Sequence, residues 1–202
     1  MAPRPVRPST ATTTSFGSEL RRVVSVVATL IAVMWGAEIV DQFVFAGQLD
    51  RLMGVVPRSG YGAVGIPLHA FAHGGFGHLI SNSVALAVLG TIVGGYGVRE
   101  FARVTVMSVL IGGLGVWLIG PPGTVMVGAS GLVFGYLGYV LSRGLFERRV
   151  GSILLSLVVA LTYGATLLQM VPGLVPDHVS WQGHLCGLLG GVLAARRFRR
   201  RR

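Results

Sequence analysis

Charged residues are missing from long stretches of the chain, and the breaks between those stretches are short and rich in Arg, Gly and Pro. A membrane-crossing helix needs about 20 mostly apolar residues, and six segments approach that length. The first covers 23–45 and is interrupted only by Glu38 and Asp41. Residues 59–98 carry no charge apart from three His, and their second half, 77–97, predicts a second span. Residues 104–142 are likewise uncharged but contain Pro121-Pro122-Gly123. Paired prolines followed by glycine end a helix, so this run predicts two spans, 101–119 and 126–142. A fifth span is predicted over 150–176, ending near Val171-Pro172-Gly173, and a short sixth over 179–195.

The basic residues test this count. All 17 are Arg. Arg4, Arg7, Arg21 and Arg22 precede span one; Arg99 and Arg103 separate spans two and three. Arg143, Arg148 and Arg149 separate four and five, and Arg196, Arg197 and 199–202 follow span six. With six spans these segments share one side, leaving only Arg51 and Arg58 on the other. The positive-inside rule then puts both termini in the cytoplasm.

Composition agrees. Hydrophobic residues make up 52% and charged residues 12%, against about 25% charged in a soluble domain; mean hydropathy is +0.71. An ordinary soluble globule is excluded, and the hydropathy is too high for a disordered chain despite 31 Gly and 9 Pro. A single Cys excludes a disulfide framework and a Cys-based metal site. The formal charge of +10 is concentrated in loops and tails, so it reads as anchoring near anionic lipid and not as nucleic-acid binding. The expected organisation is a disordered cytoplasmic tail over 1–21, a six-helix domain over 22–195 and a basic cytoplasmic tail over 196–202. No small-residue cleavage motif follows span one, which reads as a retained anchor.

Three clusters do not look like packing. His69, His73, His78 and Asn82 fall within 14 residues leading into span two, where polar side chains are costly and point to function. His78 and Asn82, four apart, share a helix face. Gly128-Ala129-Ser130-Gly131 opens span four, where free helix N–H groups would face a developing anion. His184 stands on span six among Gly183, Gly187 and Gly191, spaced four apart, as are Gly131 and Gly135 on span four. Small faces of this kind pack closely. If they meet, Ser130 and His184 come within reach, the minimum for nucleophilic catalysis.

Together these clusters resemble the rhomboid family of intramembrane serine proteases, over about residues 23–195. The resemblance implies an all-α membrane protein with a six-transmembrane-helix bundle. It implies Ser130 as nucleophile and His184 as general base, a dyad without an Asp. His78, Asn82 and the Ser130 backbone N–H would hold the oxyanion. His73 and His69 match motif positions with structural roles, and Gly128, Gly131 and Phe134 would support the site. Substrates would be transmembrane proteins cleaved in or near their spanning helices, in a bacterial cytoplasmic membrane, with no metal and no cofactor.

Two positions depart from the family pattern. Gly65-Ile66-Pro67-Leu68 stands where many members have a Trp-Arg pair, and Phe134 replaces a frequent Tyr. Other readings compete. A zinc site on His69, His73 and His78 is opposed by the interrupting Gly74, Gly75 and Gly77 and by the lack of a nearby carboxylate. A transporter is opposed by the absence of a repeat. A catalytically inactive rhomboid-like protein that binds transmembrane helices stays open, though retention of Ser130 and His184 argues against it. Glu38 and Asp41 read as interfacial or helix-pairing residues, His178 and Trp181 as interfacial residues and Cys186 as packing.

Overall fold

The computed structural model describes residues 16–176 and 178–198; the expected tail segments 1–15 and 199–202 lie outside the described residues. Its helices are α1 (Phe16–Val40), α2 (Gln48–Met53), α3 (Gly65–Leu68), α4 (Phe76–Gly94), α5 (Val98–Ile119), α6 (Ser130–Glu147), α7 (Val150–Tyr163) and α8 (Trp181–Arg197). The described residues contain no strand, only an isolated antiparallel pairing of Val55 with Met126.

Four helical segments, Gly17–Phe45, Phe76–Gly94, Val98–Ile119 and Val150–Met170, are long and apolar enough to cross a membrane. They present Phe43, Leu118, Ile153 and Leu161 outward, all exposed. Apolar surface on this scale is stable against hydrocarbon, not water. Helices α6 and α8 are less apolar for a physical reason. They pack against each other and against α5, and residues 131–140 of α6 are buried without a break. A helix shielded by neighbours needs no lipid-facing exterior. The chain is therefore an all-helical, multi-pass membrane protein.

Glycine sets the α6–α8 distance. A methyl group on Gly187 would meet the Gly131 carbonyl carbon at 2.7 Å, and one on Gly191 would meet the Gly135 carbonyl carbon at 2.7 Å. Without side chains the two backbones touch. At the end of α6 away from Ser130, buried Arg143 pairs with Glu100 of α5 and with Glu147 (2.6 Å), and its guanidinium lies 3.8 Å from the Tyr96 ring centroid.

Segment boundaries differ from expectation in places. Helix α1 begins at Phe16, so residues 16–21 of the expected disordered tail are helical. Helix α6 begins at Ser130, four residues later than the predicted span, because Met126 is engaged with Val55 through two 2.9 Å backbone bonds. The fifth span leaves α-helix at Tyr163 and tightens into a 3₁₀ segment, Gly164–Met170. Helix α8 runs to Arg197, into the predicted basic tail.

Candidate active site

Ser130 is the first residue of α6, delivered by a turn at Gly128 and Ala129 that two histidines hold in place. The Gly128 N–H donates to the His69 carbonyl (2.9 Å), and the Ala129 N–H donates to His73 Nε2 (3.3 Å). His69 is itself fixed, with Nδ1 donating to the Ile66 (3.0 Å) and Gly65 (3.2 Å) carbonyls. Both rings are fully buried. Gly128 adopts φ +111°, and a methyl group there would run into the His78 ring, so only glycine suits this position.

His184 lies in the first turns of α8, whose start is capped by Ser180 accepting from the Gly183 N–H (3.2 Å). Its Nδ1 lies 3.0 Å from the Gln169 carbonyl oxygen in the 3₁₀ segment. A carbonyl only accepts, so Nδ1 carries the ring proton and Nε2 presents its lone pair. That lone pair faces the Ser130 hydroxyl, whose Oγ lies 3.0 Å away and donates to it. Phe134, one turn beyond Ser130, stacks on the imidazole with centroids 4.2 Å apart and planes at 10°. The ring is therefore held at one nitrogen by a backbone carbonyl and on one face by an aromatic side chain.

A cavity of about 970 Å³ opens onto this pair. His78, Asn82, Ser130, Gln182 and His184 all contribute to its wall. Asn82 is 6% exposed, and its buried Nδ2 has no hydrogen-bond partner. An amide donor left free in a cavity wall is available to an acceptor that enters.

Ser130, His184, His78 and Asn82 are thus brought to one cavity, while His73, Gly128 and Phe134 contact those residues or the backbone between them. Gly131 lies against Gly183 on α8. His69, His73 and His78 form no group whose ring nitrogens could share one ion among the described residues; the His73 and His78 rings meet edge to face at 5.3 Å. His178 and Trp181, read as interfacial, line the cavity. Sequence reasoning missed Gln169, which acts through its backbone and leaves no side-chain signal. It also missed Gln182, whose place two residues after the capping Ser180 is visible only once α8 is located. Outside the spanning segments, burial foremost, and then the neighbouring Asp41 and Glu38 carboxylates, push the Asp50 carboxyl up to about 7.

A family model described as Rhomboid domain matches residues 62–201. An uncharacterized protein of Mycobacterium tuberculosis is 38% identical, over 95% of this chain and 81% of its own length. The putative rhomboid protease YdcA of Bacillus subtilis is 31% identical over 60% of each chain. The rhomboid protease GluP of Bacillus subtilis is 30% identical over 61% of this chain and 24% of its own length.

Proposed function

This chain belongs to the rhomboid family, whose members are in general serine hydrolases of the membrane interior, and we propose that it is an active intramembrane serine endopeptidase. The observation that carries the proposal is the 3.0 Å contact between Ser130 Oγ and a His184 ring whose other nitrogen is committed to the Gln169 carbonyl.

In the proposed reaction Ser130 Oγ attacks the scissile carbonyl carbon and its proton passes to His184 Nε2. The imidazolium that forms keeps its Nδ1–H on the Gln169 carbonyl, which serves where a triad would use a carboxylate. The tetrahedral oxyanion develops beside the Ser130 N–H, at the positive end of the α6 dipole, and takes hydrogen bonds from Asn82 Nδ2 and His78. Collapse breaks the C–N bond, and His184 returns the proton to the leaving amine. Water then enters the cavity, and the same base activates it to release the acyl group. Losing one oxyanion donor costs about 10²–10³ in rate.

The proposed topology has six spans, α1, α4, α5, α6, α7 and α8, with both termini cytoplasmic. It is supported by the arginine pattern of the sequence, in which all but Arg51 and Arg58 flank the spans on the same side of a six-span arrangement. The Ser130 end then faces outward across a bacterial cell membrane. Substrates are transmembrane proteins whose helices unwind near that face, so small or helix-weakening residues there favour cleavage.

A fluorophosphonate probe tests the nucleophile directly. Wild type is expected to be labelled covalently, and labelling is expected to vanish in Ser130→Ala and to fall at least 100-fold in His184→Ala. Folded wild type that takes no label, or label that survives Ser130→Ala, would overturn the proposal.

A further inference from the structure

Three carboxylates that the reaction leaves unused converge at the Ser130 end of the bundle. Glu38 lies in the last turn of α1, Asp41 opens the π-helical turn Asp41–Phe45 that follows it, and Asp50 lies on α2. The turn ends at Ala46 and Gly47, both with positive φ, and redirects the chain so that α2 packs against the turn itself. One oxygen of each carboxylate lies within 4.8 Å of the others.

Glu38 and Asp41 are 1% and 2% exposed. Glu38 Oε1 accepts from Gln42 Nε2 (3.1 Å), and Asp41 Oδ1 accepts from the Leu49 N–H (2.8 Å). The second oxygens, Glu38 Oε2 and Asp41 Oδ2, are sealed from solvent with no hydrogen-bond partner, as is Asp50 Oδ1. No Arg or His among the described residues pairs with any of the three; the ion pairs found involve Arg143 at the opposite end. Buried carboxylates without a counter-charge are retained when they coordinate a metal.

We propose that Glu38, Asp41 and Asp50 form a binding site for a hard divalent cation of the calcium type. The donors are all oxygen, which suits calcium or magnesium and not a thiolate- or imidazole-seeking metal. With calcium–oxygen bonds of about 2.3–2.6 Å, two ligands of one ion lie at most about 4.6–5.2 Å apart, and the three oxygens, all within 4.8 Å of one another, keep to that limit. Magnesium, at about 2.0–2.1 Å, requires a tighter octahedron. Three carboxylates fill part of the coordination sphere and leave the rest to water or carbonyl oxygen.

The ion would join α1 to α2. The backbones of Gly75 and His73 lie against Glu38 and Asp50, and the His73 ring accepts from the Ala129 N–H beside Ser130. The site would therefore brace the segment that frames the cavity, without touching a substrate. It stands whether or not the chain is a protease.

Terbium(III), a luminescent calcium mimic, is the probe. The full chain in detergent is stripped with a chelator and titrated at neutral pH; Trp35, one turn before Glu38, sensitises the emission. Saturable luminescence is expected, displaced by calcium at a lower concentration than by magnesium. Calcium is also expected to raise the melting temperature of wild type. Asp50→Asn, at the least buried of the three positions, should weaken terbium binding at least tenfold and abolish the calcium-dependent rise. Asp41→Asn is the second variant, should the first fail to fold. Wild type with neither saturable luminescence nor a calcium-dependent rise would overturn the proposal, the carboxyls then holding protons instead. Luminescence of wild-type affinity in both variants would overturn it too, placing the ion elsewhere.

Discussion

Replacing Gly187 by Ala should disable the site from a distance, without removing any reacting group. The added methyl would lie 2.7 Å from the Gly131 carbonyl carbon and 3.0 Å from its Cα, and these are backbone atoms that cannot rotate away. Carbon atoms rest at about 3.5–4.0 Å, so α6 and α8 must part locally by roughly 0.5–1 Å. Gly131 adjoins Ser130, and Gly187 lies one turn from His184, so the 3.0 Å Ser130–His184 contact takes up most of that movement. It then stretches to roughly 3.5–4 Å, past the range of a useful hydrogen bond. A misplacement of about 1 Å can cost about 100-fold in rate, while overpacking costs about 1–3 kcal/mol of stability. Cleavage of a transmembrane substrate in proteoliposomes, read beside thermal unfolding, checks both figures. Gly36→Ala is the control, because a methyl group there meets nothing within 4 Å. A Gly187→Ala protein that cleaves within twofold of wild type would refute the claim that the glycine face sets the catalytic distance.

Asn82→Ala should lower the cleavage rate by about 10²–10³ with little change in melting temperature, since Nδ2 makes no internal hydrogen bond; an unchanged rate would remove Asn82 from the oxyanion site. Phe134→Leu should slow cleavage about 2- to 10-fold, the equivalent of a lost aromatic contact of about 0.5–1.5 kcal/mol, while Phe134→Tyr keeps the wild-type rate because stacking is retained. Gln169→Ala should cleave within twofold of wild type in the same assay, because the backbone carbonyl, not the exposed side chain, holds His184. A large loss there would assign the orienting role to the side chain.

The spanning segments were legible where helices face lipid, because lipid demands the unbroken apolar runs that a sequence displays. Helices α6 and α8 were legible for a different reason. Helix α6 lies inside the bundle and α8 packs along it; both advertise themselves through glycine spacing, and α6 also through the break at Pro121-Pro122-Gly123. The start of α6 was misread by four residues because residues 126–129 are as apolar as a helix, but Met126 is held by backbone pairing with Val55, 71 residues earlier, and the chain turns at Gly128 and Ala129 before the helix begins. No local pattern encodes such a pairing. Ser130, His184, His78 and Asn82 could be named because each is a polar side chain in an apolar setting. The Gln169 carbonyl could not, since every residue has one. The meeting of Asp50 with Glu38 and Asp41 was equally hidden, because it depends on the π-helical turn and on the change of direction at Ala46 and Gly47.

Cleavage of a transmembrane substrate by the purified protein in proteoliposomes, compared among wild type, Ser130→Ala and His184→Ala, tests the proposed dyad most directly. The account predicts cleavage by wild type near the face of the bilayer that carries Ser130, and its loss in both variants while their melting temperatures show them folded. Cleavage that persists in Ser130→Ala, or folded wild type that cleaves none of several substrates, would contradict it.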